Sequence, residues 1–224
     1  PQVDCQFLRD SDQCQAADLI VLPGSKNVRE DLQWLIDSGW HEKILRHLRY
    51  GGKVIGICGG YQMLGDWIHD PEGIESEPGS SKGLGLLKME TRLTGEKTLR
   101  NVAGVSLRDQ CAVQGYEIHA GQSSGAALTK PLFELFANDD KSTAFYEGSV
   151  SDDDAVMGSY LHGIFDQPEY LQGLLQWAGL TAQECFDYPA YRNDQIDRLA
   201  DVFEQHLSLE KIQSLLSMPA NNGD

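Results

Sequence analysis

Two residues stand out for the chemistry that their types and settings could do. Cys58 lies in Gly56-Ile57-Cys58-Gly59-Gly60-Tyr61-Gln62, a thiol between glycines where the apolar run Lys53 to Ile57 gives way to a helix-compatible stretch. Small neighbours permit a tight strand-to-helix turn, which stands the side chain out at the carboxyl end of a sheet as a nucleophile elbow does. A helix beginning there points amides and its positive dipole end at the sulfur and favours thiolate over thiol. The pattern predicts a nucleophile; the plainer alternative is a buried structural cysteine beside a glycine turn.

A thiol nucleophile needs a base that can later protonate a leaving group, and histidine suits both tasks. Of the six histidines, His41, His47, His69 and His206 lie in polar helical or helix-end stretches and read as surface residues. His162 ends the apolar run Val156 to Leu161 and precedes Gly163. It should emerge at the carboxyl edge of the sheet, where open α/β sheets place their sites. If its strand is parallel to the one before Cys58, both side chains reach the same rim. Acyl chemistry on a thiol also needs amide donors for an oxyanion. The Gly59 amide is one candidate, and those of Gly24 or Ser25 in Leu22-Pro23-Gly24-Ser25 are others, although a Pro-Gly pair after a strand is also an ordinary turn.

The elements that must position these groups follow from periodicity. Val3 to Leu8 alternates and Asp18 to Leu22 is β-rich, so both read as strands. Val28 to Ser38 has helical spacing closed by Gly39. Trp40 to Tyr50 follows as a second helix with Ile44, Leu45 and Leu48 inward. Lys53 to Ile57 is a strand and Tyr61 to Trp67 a helix. This alternation predicts an α/β fold: an open, mixed, mostly parallel sheet flanked by helices in three layers, flavodoxin-like. Between Gly83 and Val150 strand-like pieces dominate (86–93, 99–107, 112–119 and 143–147), read as an antiparallel or mixed extension of the same sheet. Asp152-Asp153-Asp154 is a solvated turn before the strand Ala155 to Leu161. Pro168 then starts a helix to about Ala178, with Asp166 as candidate cap. A last helix, near Asn193 to Leu207, carries Ile196, Leu199, Phe203 and Leu207 on one face.

Composition narrows the function classes. The chain has 224 residues, 41% hydrophobic and 23% charged, an ordinary globular balance with ample length for a core. The longest wholly aliphatic stretch is Leu19 to Leu22, far short of a membrane span. Eighteen Lys and Arg against 34 Asp and Glu give a net charge of −16, with no basic stripe. Nucleic-acid and membrane partners are not expected. Five cysteines without a C-x-x-C pair argue against a disulfide framework and a structural zinc, and for a reducing, cytoplasmic setting. No metal site is expected. The chain opens at Pro1 without a charged-then-apolar leader, which reads as no secretory signal and as a piece of something longer.

Four segments in order carry a resemblance: Leu22-Pro23-Gly24-Ser25-Lys26-Asn27; Gly56 to Gly65; Gly115-Tyr116-Glu117-Ile118-His119-Ala120-Gly121; and Ser159 to Asp166, which contains His162-Gly163-Ile164-Phe165-Asp166. Together they resemble the class I glutamine amidotransferase domain of cobyric acid synthases, from about Ala17 to the last helix. The resemblance implies one amidotransferase domain over 1–224, the C-terminal part of a longer polypeptide whose N-terminal ATP-dependent synthetase is absent here. It implies hydrolysis of glutamine to glutamate and ammonia, with ammonia passed on to amidate carboxylates of adenosylcobyrinic acid a,c-diamide. Residue by residue, it implies Cys58 as the nucleophile forming a glutamyl thioester and His162 as acid and base. Gly59 with the Gly24 and Ser25 loop would be the oxyanion site, Gln62 a substrate contact, and Tyr116, Glu117 and His119 either a border of the glutamine pocket or a strand and turn. No cofactor is expected in this domain, ATP and Mg belonging to the synthetase; Gly95-Glu96-Lys97-Thr98 lacks the glycine loop of a P-loop and reads as a turn.

One position departs from the wider class. Where ordinary class I domains carry a Glu two residues after the histidine, this chain has Ile164. The resemblance then implies a Cys-His dyad with slower intrinsic glutaminase activity than a triad, and leaves open what orients His162. Two other readings share the fold: the glutaminase half of a peptidoglycan-amidating pair, and a binding or regulatory module without catalysis.

Overall fold

The computed structural model describes residues 3–137, 140–181, 187–208 and 212–214. Cys185 lies outside them. The chain divides into two units, Pro1–Phe186 and Asp187–Asp224. In the first, β1 (Leu19–Leu22), α1 (Val28–Asp37), α2 (Trp40–Arg49), β2 (Lys53–Ile57) and α3 (Gly59–Met63) build the part that holds Cys58. Then come β3 (Trp67–Asp70), β4 (Gly79–Lys82), β5 (Glu90–Ser106), β6 (Ala112–Ser124), β7 (Phe133–Ala137), β8 (Asp140–Glu147), β9 (Ser149–Val150), β10 (Val156–Ser159), β11 (Leu161–His162) and α4 (Pro168–Trp177). The second unit contains α5 (Tyr188–His206).

The strands form two hydrogen-bonded sheets, so the middle of the chain is a sheet of its own rather than an extension of the first. The first sheet has the order β1-β2-β10-β9, with β1, β2 and β10 parallel and β9 antiparallel at the edge. The second runs β11-β6-β5-β3-β4, with β7 also on β5 and β8 on β7, and is antiparallel except for β3 against β5. The whole is a mixed α/β fold with an open sheet flanked by helices.

Central parallel strands are covered on both faces and therefore read as continuous apolar runs. Val54, Ile55 and Ile57 of β2 and all of β10 are buried. Register sets Gly56 beside both Leu22 and Gly158. These glycines leave room for α3 to lie across the strand ends: a Cβ at Gly60 would overlap the Leu22 carbonyl, and one at Gly158 would enter the Tyr61 ring.

Several expectations are corrected. Residues 3–8 form no strand, because alternation without a neighbouring strand has nothing to pair with, and Phe7 is exposed. The helix after Cys58 ends at Met63, and Trp67 opens β3, since at Gly65 the chain runs tight against the Met89 carbonyl. The stretches 86–93 and 99–107 contribute to one long strand, β5, whose register with β6 shifts between Leu93 and Thr98. The strand over 155–161 breaks at Tyr160 into β10 and β11. In α2, Trp40 and Ile44 are buried while Leu45 is exposed. His47 is half-buried, hydrogen-bonded through Nε2 to the Lys53 carbonyl at 2.9 Å. Gln167, not Asp166, occupies the N-cap of α4. Helix α5 starts at Tyr188, earlier than expected, with Asp187 as cap, and Ile196, Leu199, Phe203 and Leu207 are exposed. No helix among the described residues is long and apolar enough to cross a membrane.

Because the Leu22 carbonyl is rigid strand backbone, Gly60→Ala must displace either α3 or the loop after β1. The expected outcome is a loss of about 1–3 kcal/mol in unfolding free energy, as for other overpacked interiors, measured by urea denaturation.

Candidate active site

The elbow forms as the glycines predict. Cys58 is one of the few non-glycine residues with positive φ, at φ 52 and ψ −110. Such a backbone is held only where its surroundings over-determine it. Here the Cys58 amide donates to the Ser159 carbonyl at 2.8 Å, tying the elbow to the end of the neighbouring parallel strand. Its Sγ lies 3.6 Å from the Ile118 carbonyl on β6.

The chain that leaves β10 carries His162 back over this point. Because β10 and β2 are parallel, with Ser159 level with Ile57, both side chains stand beyond the same carboxyl ends. A Cβ at Gly24 would be 3.6 Å from His162 Cε1 and 3.8 Å from Cys58 Cβ, so Gly24 touches both members of the pair. The Ser25 amide abuts Gly59, at 2.7 Å from where its Cβ would be, and the Gly59 amide is directed at the sulfur. Cys58, Gly59, Gly24, Ser25 and His162 are thereby brought together, with a glycine at each place where a side chain would close the space.

Tyr116 joins them from β6. It is the cross-strand partner of His162, and the two rings stack with centroids 5.1 Å apart and planes 7° from parallel. Ile164 is buried and contributes no carboxylate. The imidazole is thus oriented by ring contact, and its buried Nε2 has no hydrogen-bond partner. Gln62 is placed differently. Its Nε2 donates to Tyr160 OH at 3.3 Å, it packs against Gly121, and its Oε1 is buried without a partner.

Burial pushes the Cys58 thiol up; the Gly59 amide pulls it back, Glu75 and Glu147 add to the rise and Lys97 opposes it. The thiolate expected from a helix start does not prevail, because α3 is only five residues long and the sulfur is withdrawn from water. Burial also lowers the His162 imidazole, with His119 adding to the effect. At neutral pH the pair rests as thiol and neutral imidazole.

Strand alternation sorts the β5–β6 ladder into two faces. Leu99 pairs with Ile118 and Asn101 with Tyr116, on the side of His162. Thr98, Arg100, Glu117 and His119 face the other way, where with Tyr160 and Glu147 they line a cavity of about 260 Å³. There Arg100 forms an ion pair with Glu117 and lies over the Phe145 ring, and His119 stacks on Tyr160 at 3.8 Å. No group of three or more His, Cys, Asp or Glu that could hold a metal occurs among the described residues.

Glu147 is a residue that the sequence reading missed. It is buried, and its carboxylate accepts from Ser159 Oγ at 2.6 Å and the Tyr160 amide at 2.7 Å, while Ser159 Oγ accepts from the Leu161 amide at 2.8 Å. One carboxylate therefore fixes the bend between β10 and β11 that delivers His162. Its only signal in the sequence is an acidic residue closing the apolar stretch Ala144 to Tyr146 before a Gly.

Comparison with known proteins agrees with this architecture. A glutamine amidotransferase crystal structure is similar at 14% identity over 80% of this chain and 88% of that one, with a TM-score of 0.52. PurLQS from Thermotoga maritima matches at 14% identity over 71% of this chain and 79% of that chain, with a TM-score of 0.48. The fold is that of class I glutamine amidotransferases. Residues 1–170 match the model of the CobB/CobQ-like glutamine amidotransferase domain, and the chain belongs to that family.

Two outcomes follow from the charges in the site. Alkylation of Cys58 by iodoacetamide, followed by peptide mass spectrometry, should rise with pH through a midpoint above that of a cysteine in a short peptide, because the folded site disfavours thiolate. For Glu147, burial pushes the carboxyl up to about 7 from its ordinary 4.5, against the hydrogen bonds from Ser159 and Tyr160 and with a further push from Glu117. A carboxyl that binds its proton more tightly when folded stabilises the fold fully below the unfolded value, and this contribution is lost as pH climbs through about 7. Urea unfolding at pH 5 and pH 8 should therefore show a flatter profile for Glu147→Gln. The variant should gain on the wild type by on the order of 3 kcal/mol between the two.

Proposed function

We propose that this domain is a glutaminase that feeds ammonia to an ATP-dependent synthetase acting on a corrinoid, the amidotransferase part of a cobyric acid synthase. The observation that carries the reading is the meeting of Cys58, on its strained elbow, with His162 across Gly24, in a chain of the CobB/CobQ-like amidotransferase family. In this reading Cys58 Sγ attacks the side-chain amide carbon of glutamine as its proton passes to His162. The partnerless Nε2 is the acceptor free to take it. Because the thiol is held protonated at rest, proton transfer accompanies attack rather than preceding it. The tetrahedral oxyanion is taken by the Gly59 amide and the amides of the Gly24 and Ser25 loop. His162 then gives its proton to the departing nitrogen, releasing ammonia and leaving a glutamyl thioester. Water attacks the thioester with His162 as base, and glutamate leaves.

The stack of Tyr116 on His162 suits a dyad, since it holds the ring in place whether neutral or protonated. Gln62 acts in this reading from behind, fixing Tyr160. The synthetase partner belongs to the N-terminal part of the same polypeptide and binds ATP and Mg, and the acceptor is adenosylcobyrinic acid a,c-diamide. The four matched segments and the family's description support that assignment. The protein works in the cytoplasm, which the five cysteines without a C-x-x-C pair support, and has neither nucleic acid nor membrane as partner, which the net charge of −16 and the absence of a basic stripe support.

The test is Cys58→Ala in the polypeptide that includes the synthetase. Glutamine-dependent amidation should fall to background while ammonium salts still support it. Continued use of glutamine by this variant would overturn the reading.

A further inference from the structure

The two members of the reacting pair belong to different sheets. Cys58 follows β2 of the first sheet, whereas His162 lies on β11, which pairs with β6 of the second. On the way to His162 the chain passes from the first sheet to the second at one residue, Tyr160, between β10 and β11. The reach from sulfur to imidazole is therefore set by how the sheets are joined at this point. The Tyr160 side chain, which has no role in the chemistry above, makes the joint.

Tyr160 is buried, and its ring and hydroxyl meet both sides. From the nucleophile's side come two residues of α3: Tyr61, edge-on with ring centroids 5.2 Å apart, and Gln62, whose Nε2 donates to the phenol oxygen at 3.3 Å. Gln62 is itself tied to the nucleophile, since its amide donates to the Cys58 carbonyl at 3.1 Å. From the second sheet come His119, stacked on the ring at 3.8 Å, and Ser123, whose Oγ is 2.7 Å from the phenol oxygen and 2.9 Å from Thr91 Oγ1. With Gln62 donating to it, the phenol is left to donate to Ser123, and Ser123 to Thr91, so four side chains form one directed line from α3 through β6 to β5. Ser123 and Thr91 are also ladder partners, which makes that end of the line rigid sheet.

We propose that Tyr160 is a positioning residue for the glutaminase reaction, and that its hydroxyl, by fastening α3 to β6, sets the reach between Cys58 Sγ and His162. This role rests on the glutaminase reading. Tyr160 acts through Gln62 on the elbow, and through Ser123 on the strand that carries Tyr116, the ladder partner of His162. The ring contacts alone do not suffice, because aromatic faces and edges tolerate a range of offsets whereas a hydrogen bond fixes length and direction. A pair that must transfer its proton during attack is sensitive to such a reach, since a misplacement of about 1 Å can cost about a hundredfold in rate.

The test is steady-state hydrolysis of glutamine by the polypeptide that includes the synthetase, with Tyr160→Phe, which keeps the ring and removes the hydroxyl alone. Its kcat should fall about ten- to a hundredfold with KM unchanged. Ammonium-dependent amidation and alkylation of Cys58 by iodoacetamide should stay at wild-type rates, because neither uses His162. A variant that fails to fold loses all of these together, and Ser123→Ala then decides. Ser123→Ala cuts the same line from the β6 side and should lower kcat in the same way, and the double variant should be no slower than the slower single one. If either folded single variant keeps the wild-type kcat, or if the loss appears in KM, Tyr160 does not position the pair and the glutaminase reading stands. If the wild-type polypeptide releases no glutamate from glutamine, both fall together.

Discussion

The backbone of Cys58 is the constraint on which the rest of the site depends. A non-glycine residue at φ 52 and ψ −110 is costly, by on the order of 1–3 kcal/mol, and persists only because its surroundings leave no alternative. Those surroundings are specific. The amide is fixed to the Ser159 carbonyl, Gly60 lies under the Leu22 carbonyl, and Gly59 is pressed against the Ser25 amide. Relaxing the elbow would require one of three strand ends to move, and each is buried in the parallel sheet. The same contacts that hold the strain bring the Gly24 and Ser25 amides, the Gly59 amide and the β10 to β11 bend to one point. Strain and assembly of the site are one arrangement.

The second determinant is the way His162 is held. An imidazole beside a carboxylate is steadied by charge, whereas this one lies flat against a tyrosine from the adjacent strand. Behind it the bend is fixed by Glu147, through Ser159 and the Tyr160 amide. The acidic residue is therefore present in the fold, but it acts on the backbone one step away from the ring. That division separates orientation, supplied by Tyr116, from support, supplied by Glu147.

What the sequence made legible depends on whether the information was local. Cys58 and its glycines form a contiguous turn, and His162 ends an apolar strand before a glycine, so both could be found by spacing. Their meeting needed only that the two strands be parallel. Helices α1 and α4 and strand β2 lie within a residue or two of their periodic patterns. Glu147 was not legible, because its role is set by tertiary placement: it reaches the β10 to β11 bend across the end of β9. The alternation of 3–8 misled for the converse reason, a local pattern without a tertiary partner. The helix expected to reach Trp67 failed because the tight approach of Gly65 to the Met89 carbonyl is invisible in periodicity.

The resting state of the pair has a consequence for the life of the protein. A thiolate standing permanently in a cleft would be the first group in the chain to meet peroxide or a stray electrophile, and its oxidation beyond the sulfenic stage is irreversible. Here desolvation keeps the proton on sulfur and off the imidazole until something arrives to draw it across. Chemical inertness is the default of this cysteine, and in the glutaminase reading it becomes reactive only once glutamine is in place.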